Sequence, residues 1–332
     1  MIISQTPVRI PLGGGGTDLA EFYTKNSGGF LVSAAVNKFV LILVRRNFEN
    51  GIRFTGYHKK EIVDKRQKLE NPLVRATLEY LNFDESIEIV SMSDVRANCV
   101  LGTSSAFTVG LLNALYHYKG VSCSPEELAE AAIYIEREML QEAGGVQDQY
   151  VSSYGGAILM ELDSAGAVQI EKLSLSANAM NQFDEHFLFI DTRSSRQSSK
   201  IQEATISSLK SSSNTANESM LEIRSIGRLI HEALITEKFN EIGELMHRHW
   251  VEKKKYGSST SNPFIDELYS FACSNGALGG KLMGAGGGGF MMFVVPSALH
   301  KNNLIQAFAK KRFEHLDLKI ENAGSKIIMN NL

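Results

Sequence analysis

At 332 residues, 43% of them hydrophobic, the chain can bury a full core and divides more naturally into two domains than one. Its formal net charge of −3, from 34 Lys+Arg against 37 Asp+Glu spread along the sequence, offers no basic field to nucleic acid or anionic lipid. The longest apolar runs, Phe39 to Val44 and Phe290 to Val295, are far too short to span a bilayer, so the expected partner is a small molecule.

The opening segment, Met1 to Pro7, has neither a basic stretch nor a long apolar run, and the reading is of a cytoplasmic protein without a secretory signal. Cys99, Cys123 and Cys273 are odd in number and lack CxxC spacing, which fits reduced thiols. A short strand, Val8 to Ile10, leads into Gly13-Gly14-Gly15-Gly16-Thr17-Asp18, where glycines let backbone approach a ligand and Asp18 is the exposed polar group a ligand hydroxyl would use. A flexible hairpin loop is the alternative. A helix-like stretch, Leu19 to Thr24, and strands around Phe30 to Val44 follow.

Ile87 to Val90 alternates as a strand, and Ala106, Val109, Leu112 and Leu115 recur at helical spacing. Between them, Val100-Leu101-Gly102-Thr103-Ser104-Ser105-Ala106 places one glycine and three hydroxyls at a helix N-terminus, where unpaired N–H groups and the positive dipole end favour a phosphate. Ordinary capping would use the same residues.

Ser124, Pro125 and Glu127 form a capping-box helix start, and a helix is expected to about Ala143. At helical spacing Glu126, Glu127, Glu130, Arg137 and Glu138 lie on the side away from the buried stripe, whereas Glu136 falls about 80° from Leu128, at the border of that stripe, where a carboxylate needs a cation or an Arg or Lys partner. Asp148 lies just past the Gly144-Gly145 turn, so the two carboxylates could face one cleft, a pairing that suits one metal ligand and one base.

Periodicity is lost from about Ser164 to Asp184, which gives the candidate boundary between a domain at 1–180 and a domain at 181–332. After a strand, His186 to Ile190, three cations among hydroxyls, Arg193, Arg196 and Lys200, look like an anion site. Ser211 to Ser219 reads as an exposed connection, with helices around Ile223 to Leu234, Ile242 to Trp250 and Ile265 to Ser274. His247 to His249 has no HExxH spacing and suggests no zinc. Gly284, Gly286 and Gly289 satisfy GxGxxG, but a strand follows rather than a helix, which excludes a dinucleotide fingerprint. A GxSxG elbow and a P-loop fail as well, at Ala106, and at Asn275 and Leu282.

In their order, Pro7 to Asp18, the 100–106 loop, the Glu136 and Asp148 pair, and Lys281 to Phe290 resemble the galactokinase, homoserine kinase, mevalonate kinase and phosphomevalonate kinase superfamily. Gly14 to Leu19, Gln147 to Tyr150, Asn275 to Lys281, and Trp250 with Lys253-Lys254 look most like its D-glycero-D-manno-heptose 7-phosphate kinases. The resemblance implies a two-domain α+β fold, with a ribosomal S5-like N-terminal domain, a ferredoxin-like C-terminal domain and the active site between; it implies that the first, 1–180, binds ATP and the second, 181–332, closes the substrate cleft. It implies ATP and Mg²⁺, and transfer of a phosphoryl group to the anomeric hydroxyl of heptose 7-phosphate. The alternatives are a kinase of a free sugar such as fucose, galactose or mannose, and a non-catalytic sugar- or nucleotide-binding relative.

Carried over by position, Asp148 is the base and Arg9 polarises it. Asp18, Thr17, Gly15, Gly16, Arg193, Arg196 and Lys200 would meet the substrate, with Arg196 first for its phosphate. Asn98, Leu101, Gly102, Thr103, Ser104, Ser105, Gly286 and Gly287 would meet ATP, and Ser104, Ser105 and Glu136 the metal. The expected partners are a sugar phosphate and ATP, with no nucleic acid or membrane, and a homodimer is left open. Ala97, Asn98 and Val100 stand where the family's loop carries proline and glycines. Because a β-branched Val100 resists positive φ, the loop is expected to take another backbone path.

Overall fold

The computed structural model describes residues 1–331 except 58, 97–99, 195–197, 211–213, 257–259 and 285, and only the backbone of 198–200 and 256. The strands are β1 (Ile2–Gly13), β2 (Gly29–Arg46), β3 (Ile52–Thr55), β4 (Lys60–Val63), β5 (Ile87–Ser93), β6 (Ala157–Leu162), β7 (Val168–Lys172), β8 (Phe187–Asp191), β9 (Gly279–Leu282), β10 (Phe290–Val294), β11 (His315–Leu316) and β12 (Lys326–Asn330). The α-helices are α1 (Ala20–Tyr23), α2 (Pro72–Tyr80), α3 (Thr103–Tyr118), α4 (Pro125–Ile133), α5 (Gln147–Tyr154), α6 (Ala177–His186), α7 (Ser198–Lys210), α8 (Asn214–Ile235), α9 (Phe239–Tyr256), α10 (Pro263–Ser274) and α11 (Ala298–Lys310).

The first sheet is organised by the long antiparallel pair β1 and β2. Its register shifts after Pro7 and again after Pro11, where proline withholds the ladder N–H and the strand bends. The other edge of β2 is shared, Gly29 to Ala34 pairing with β6 and Val40 to Arg46 with β5. The second sheet, in the order β11-β8-β10-β9, is antiparallel. One apolar cluster joins the two, running from Ile10 and Val32 through Ile226 and Ile230 of α8 to Phe187 and Met292.

The α+β class and the two-sheet division agree with expectation, and the division near residue 180 stays our proposal for the domains. Within the nominal second part, β12 returns to pair with the outer edge of β1. On the way, Ser325 hydrogen-bonds Thr6 and Asn113, and the Glu321 N–H donates to the Ala35 carbonyl.

Several expected elements differ. The aperiodic stretch 164–184 holds β7 and α6, which polar faces and shortness concealed, and α8 begins at Asn214, inside the expected connection. The helix after Pro125 does not run to Ala143: it gives way to a π-helical turn, Tyr134–Met139. Its capping box, Ser124 with Glu127, is present. Cys123 and Cys273 are free thiols, and Cys99 lies outside the described residues. Among the described residues no helix is long and apolar enough to cross a membrane.

Candidate active site

Arg9 is buried on β1 and joins three parts of the chain. Its Nε and one terminal nitrogen donate to the two carboxylate oxygens of Asp148, at 2.6 and 2.7 Å, and the other terminal nitrogen donates to the Val100 carbonyl at 2.8 Å. Its backbone N–H donates to the Leu101 carbonyl at 2.9 Å. The hydroxyl loop and the base candidate are therefore both held by one residue of β1, through a bidentate, charge-assisted pair.

Val100 does adopt φ 61°, against the expectation that its branched side chain would steer the loop elsewhere. Two hydrogen bonds from Arg9 hold the carbonyls of Val100 and Leu101, and over-determined backbone of this kind persists despite its steric cost. Gly102 follows at φ 73° as the N-cap of α3, and a Cβ there would stand 3.1 Å from Asp148 Oδ2. Glycine thus permits the turn and lets the helix N-terminus approach the carboxylate. Leu101 is fully buried and contributes through its backbone.

Glu136, 1% exposed, lies in the π turn, where Ser105 Oγ and Gln149 Nε2 donate to its Oε2 at 3.0 and 2.8 Å. Arg137 stands 3.7 Å from the same oxygen while its guanidinium donates to the Gly145 carbonyl at the diglycine turn. Oε1 is buried without a hydrogen-bond donor. Burial pushes the Glu136 carboxyl up to about 7 against the opposing pull of Arg137. The ion-pair reading of Glu136 is therefore partly met, by a residue expected on the solvent face. A helix widened by a π turn no longer keeps 100° spacing.

Because folding raises this carboxyl above its ordinary 4.5, the folded chain binds the extra proton between those values and loses stability as pH rises from 4.5 to about 7. Glu136→Gln should remove that component, by up to about 1.4 kcal/mol per pH unit. Chemical denaturation of both proteins across this range, without added Mg²⁺ or ATP, measures the difference; a difference flat in pH refutes it.

Asp18 is buried, 2% exposed, rather than exposed as expected. Its Oδ2 accepts from the N–H groups of Val146 and Gln147 at 2.8 and 3.1 Å, so it caps α5 from far along the chain. Burial raises its carboxyl, the Gln147 N–H opposes this, and Asp148 adds to the rise. Thr17 is structural: its hydroxyl meets the Gly14 and Phe30 carbonyls and accepts from the Phe30 N–H, which corrects its expected substrate role. Of the glycine run, Gly13 and Gly14 pack against Gly227 of α8 and the backbone of β2, and only Gly15 and Gly16 border the cleft.

Two clefts meet at Arg9 and Asp148. One, of about 650 Å³, is bordered by Gly102 to Ser105, Glu136 and Gly284. The other, of about 760 Å³, is bordered by Gly15, Gly16, Asp18, His249, Lys253 and Lys281 among others. Gln202 from α7 borders both. The site thus includes Arg137, Gln202, His249, Lys253 and Lys281, to which sequence reasoning gave no role in it. Lys253 and Lys281 stood within motifs that carry the family resemblance, without a role of their own, and Arg137, Gln202 and His249 gave no signal of a place in the site.

Gly286 and Gly287 border neither cleft. Gly286 packs on Thr260 and the Gly287 N–H donates to the Thr260 carbonyl, so this loop between β9 and β10 spends its glycines on packing, and Gly284 is the one at the site. Arg193 is also elsewhere, half exposed, 3.5 Å from Glu314 and over the Phe313 ring. Asn98 and Arg196 lie outside the described residues, as does the side chain of Lys200.

Among the described residues no cluster of three or more His, Cys, Asp or Glu side chains could hold a metal. A single buried carboxylate with an unpartnered oxygen beside two serines fits a Mg²⁺ whose other ligands are water and phosphate oxygens.

Comparison with known proteins shows the family. Residues 69–156 match the GHMP kinases N terminal domain and residues 230–315 the GHMP kinases C terminal model, together more than half of the chain. The chain belongs to the GHMP kinases and is an ATP-dependent kinase. It is 28% identical over 336 residues to the D-glycero-alpha-D-manno-heptose 7-phosphate kinase of Campylobacter jejuni, covering 98% of each. It is 24% identical to the L-fucokinase/L-fucose-1-P guanylyltransferase of Bacteroides fragilis, over 89% of this chain and 34% of that protein. In fold it is similar to a D-glycero-D-manno-heptose 1-phosphate kinase from Bacteriodes thetaiotaomicron, with TM-score 0.83, 23% identity and full coverage of both chains. It is similar likewise to Lactococcus lactis galactokinase complexed with galactose, with TM-score 0.78, 15% identity and 98% and 94% coverage.

Proposed function

We propose that the chain is a sugar-phosphate kinase that transfers the γ-phosphoryl group of ATP to the anomeric hydroxyl of D-glycero-D-manno-heptose 7-phosphate, giving the 1,7-bisphosphate. The observation that carries this reading is Asp148 standing on the wall shared by two clefts, one built around hydroxyls at a helix N-terminus and the other lined by polar side chains. In the first cleft the N-terminus of α3, with Thr103, Ser104 and Ser105, would hold the ATP phosphates. Glu136, Ser104 and Ser105 would hold Mg²⁺, which when bound neutralises charge on the transferring phosphoryl group.

In the second cleft Asp18, Gly15 and Gly16 would border the sugar. Each Asp148 oxygen already accepts from Arg9 and keeps a lone pair for the sugar hydroxyl. The hydroxyl proton passes to Asp148, the hydroxyl oxygen bonds to the γ-phosphorus, and the bond from that phosphorus to the ADP oxygen breaks. Arg9 fixes the carboxylate for this step, which phosphoryl transfer requires more than it requires a covalent intermediate.

The similarity to the Campylobacter heptose 7-phosphate kinase over nearly the whole of both chains favours the phosphorylated acceptor. A screen of ATP turnover and phosphorylated product with heptose 7-phosphate, mannose, fucose and galactose tests it. Preference for heptose 7-phosphate is the expected result; preference for an unphosphorylated sugar leaves a kinase of free sugars, and no turnover on any acceptor a binding protein.

A further inference from the structure

The acceptor cleft has an unusual floor. Lys253 on α9 and Lys281 on β9 are both buried, and neither forms an ion pair among the described residues. Lys281 Nζ donates to the Leu12 carbonyl at 2.8 Å, and Lys253 Nζ donates to the Leu282 and Gly284 carbonyls at 3.0 and 2.5 Å. Beside them His249, one helical turn before Lys253, is 2% exposed with neither ring nitrogen hydrogen-bonded. All three side chains border the same cleft as Asp18 and Asp148.

A buried ammonium without a counter-ion is costly, and two on one wall cost more still. The neighbouring charges make this worse. Burial and the Arg9 guanidinium pull the Lys253 ammonium down to about 7, and burial with Lys253 and Arg9 holds Lys281 well below the usual lysine range. Burial and the two lysines also hold His249 neutral. Arg9 is engaged by Asp148 and Asp18 by the α5 backbone, so neither carboxylate compensates the lysines. The carbonyl bonds leave one ammonium proton on Lys253 and two on Lys281, and the imidazole offers one N–H. Unspent donors gathered in a cleft, those of the two lysines on side chains that a bound anion would keep charged, define a seat for an anion.

We propose that Lys253, Lys281 and His249 form the seat for the anionic group of the acceptor, a phosphate carried on the sugar at a distance from the reacting hydroxyl. The proposal rests on reading this cleft as the acceptor site, and it moves the phosphate contact from the 193–200 loop to the cleft floor. It also predicts an opposition between stability and function. Lys281→Met or Lys253→Met removes a desolvated cation from the unliganded protein while depriving the ligand of its partner.

The experiment measures kcat/KM for heptose 7-phosphate and for the same heptose without phosphate, with parent, Lys253→Met and Lys281→Met, together with the melting temperature without ligand. Each variant should lose about ten- to a hundredfold in kcat/KM on the phosphorylated acceptor and little on the other. The unliganded melting temperature should be kept or raised, and Lys253→Arg should recover part of the loss. Inorganic phosphate should raise the melting temperature of the parent more than that of either variant. Equal losses on both acceptors, or a loss confined to the KM for ATP, overturn the seat while leaving the kinase reading intact. A parent that prefers the unphosphorylated heptose instead overturns the substrate reading itself, and the seat with it.

Discussion

Asp148→Asn should fold and still bind ATP while turning over about 10²- to 10⁴-fold more slowly, the usual worth of a positioned general base. The geometry adds a second expectation. Both carboxylate oxygens accept from Arg9, so an asparagine must turn its NH₂ group toward a guanidinium donor and forfeit one of the two bonds. With the side chain only partly shielded from solvent, that loss should cost about 1 kcal/mol of stability. Turnover and the melting shift produced by ATP are measured on the same preparation. A rate within about threefold of the parent removes Asp148 from the role of base.

Gly102→Ala should reduce turnover by about ten- to a hundredfold, because a small misplacement of a reacting group is enough to do so. The added Cβ would sit 3.1 Å from both Asp148 Oδ2 and Arg9 Cγ, so the pair must move apart or the start of α3 must retreat. The substitution also carries a backbone cost, since φ there is 73°, and the two effects need separating. Gly120 supplies the control: it has φ 73° as well, lies outside the site, and a Cβ there would meet nothing within 4 Å. Both alanine variants should lose about 1 kcal/mol from the left-handed backbone, and only Gly102→Ala should lose activity. Equal kinetics for the two would show that Gly102 serves its turn alone.

The parts of the site legible in the sequence are those whose chemistry is local. A glycine and three hydroxyls before a helical period announce an anion-friendly N-terminus, and Glu136 at the border of an apolar stripe announces a carboxylate in need of a partner. Asp18 was visible as a residue but not as a cap, because its partners, Val146 and Gln147, are remote in sequence. Arg137 was placed on the wrong side by a regular helical period that the π turn breaks. Lys253 and Lys281 give no sign of burial in a linear reading, since lysine is ordinarily exposed, and their burial depends on α9, β9 and β1 meeting from distant parts of the chain. Val100 shows the converse error: its intrinsic preference was read correctly and then overruled by Arg9.

The return of β12 to the edge of β1 bears on how the protein folds. Residues 2–5 find their outer neighbours at 326–330, so that edge of β1 stays uncovered until a segment remote in sequence has folded back onto it. Until β12 docks, the outer edge of β1 is a row of unpaired N–H and C=O groups, open to pairing with another chain. Closing a loop of that span is a slow, late event in folding. The stage before β12 docks is thus the one most open to misassembly, and the five residues that end it lie far in sequence from Arg9 and Asp148.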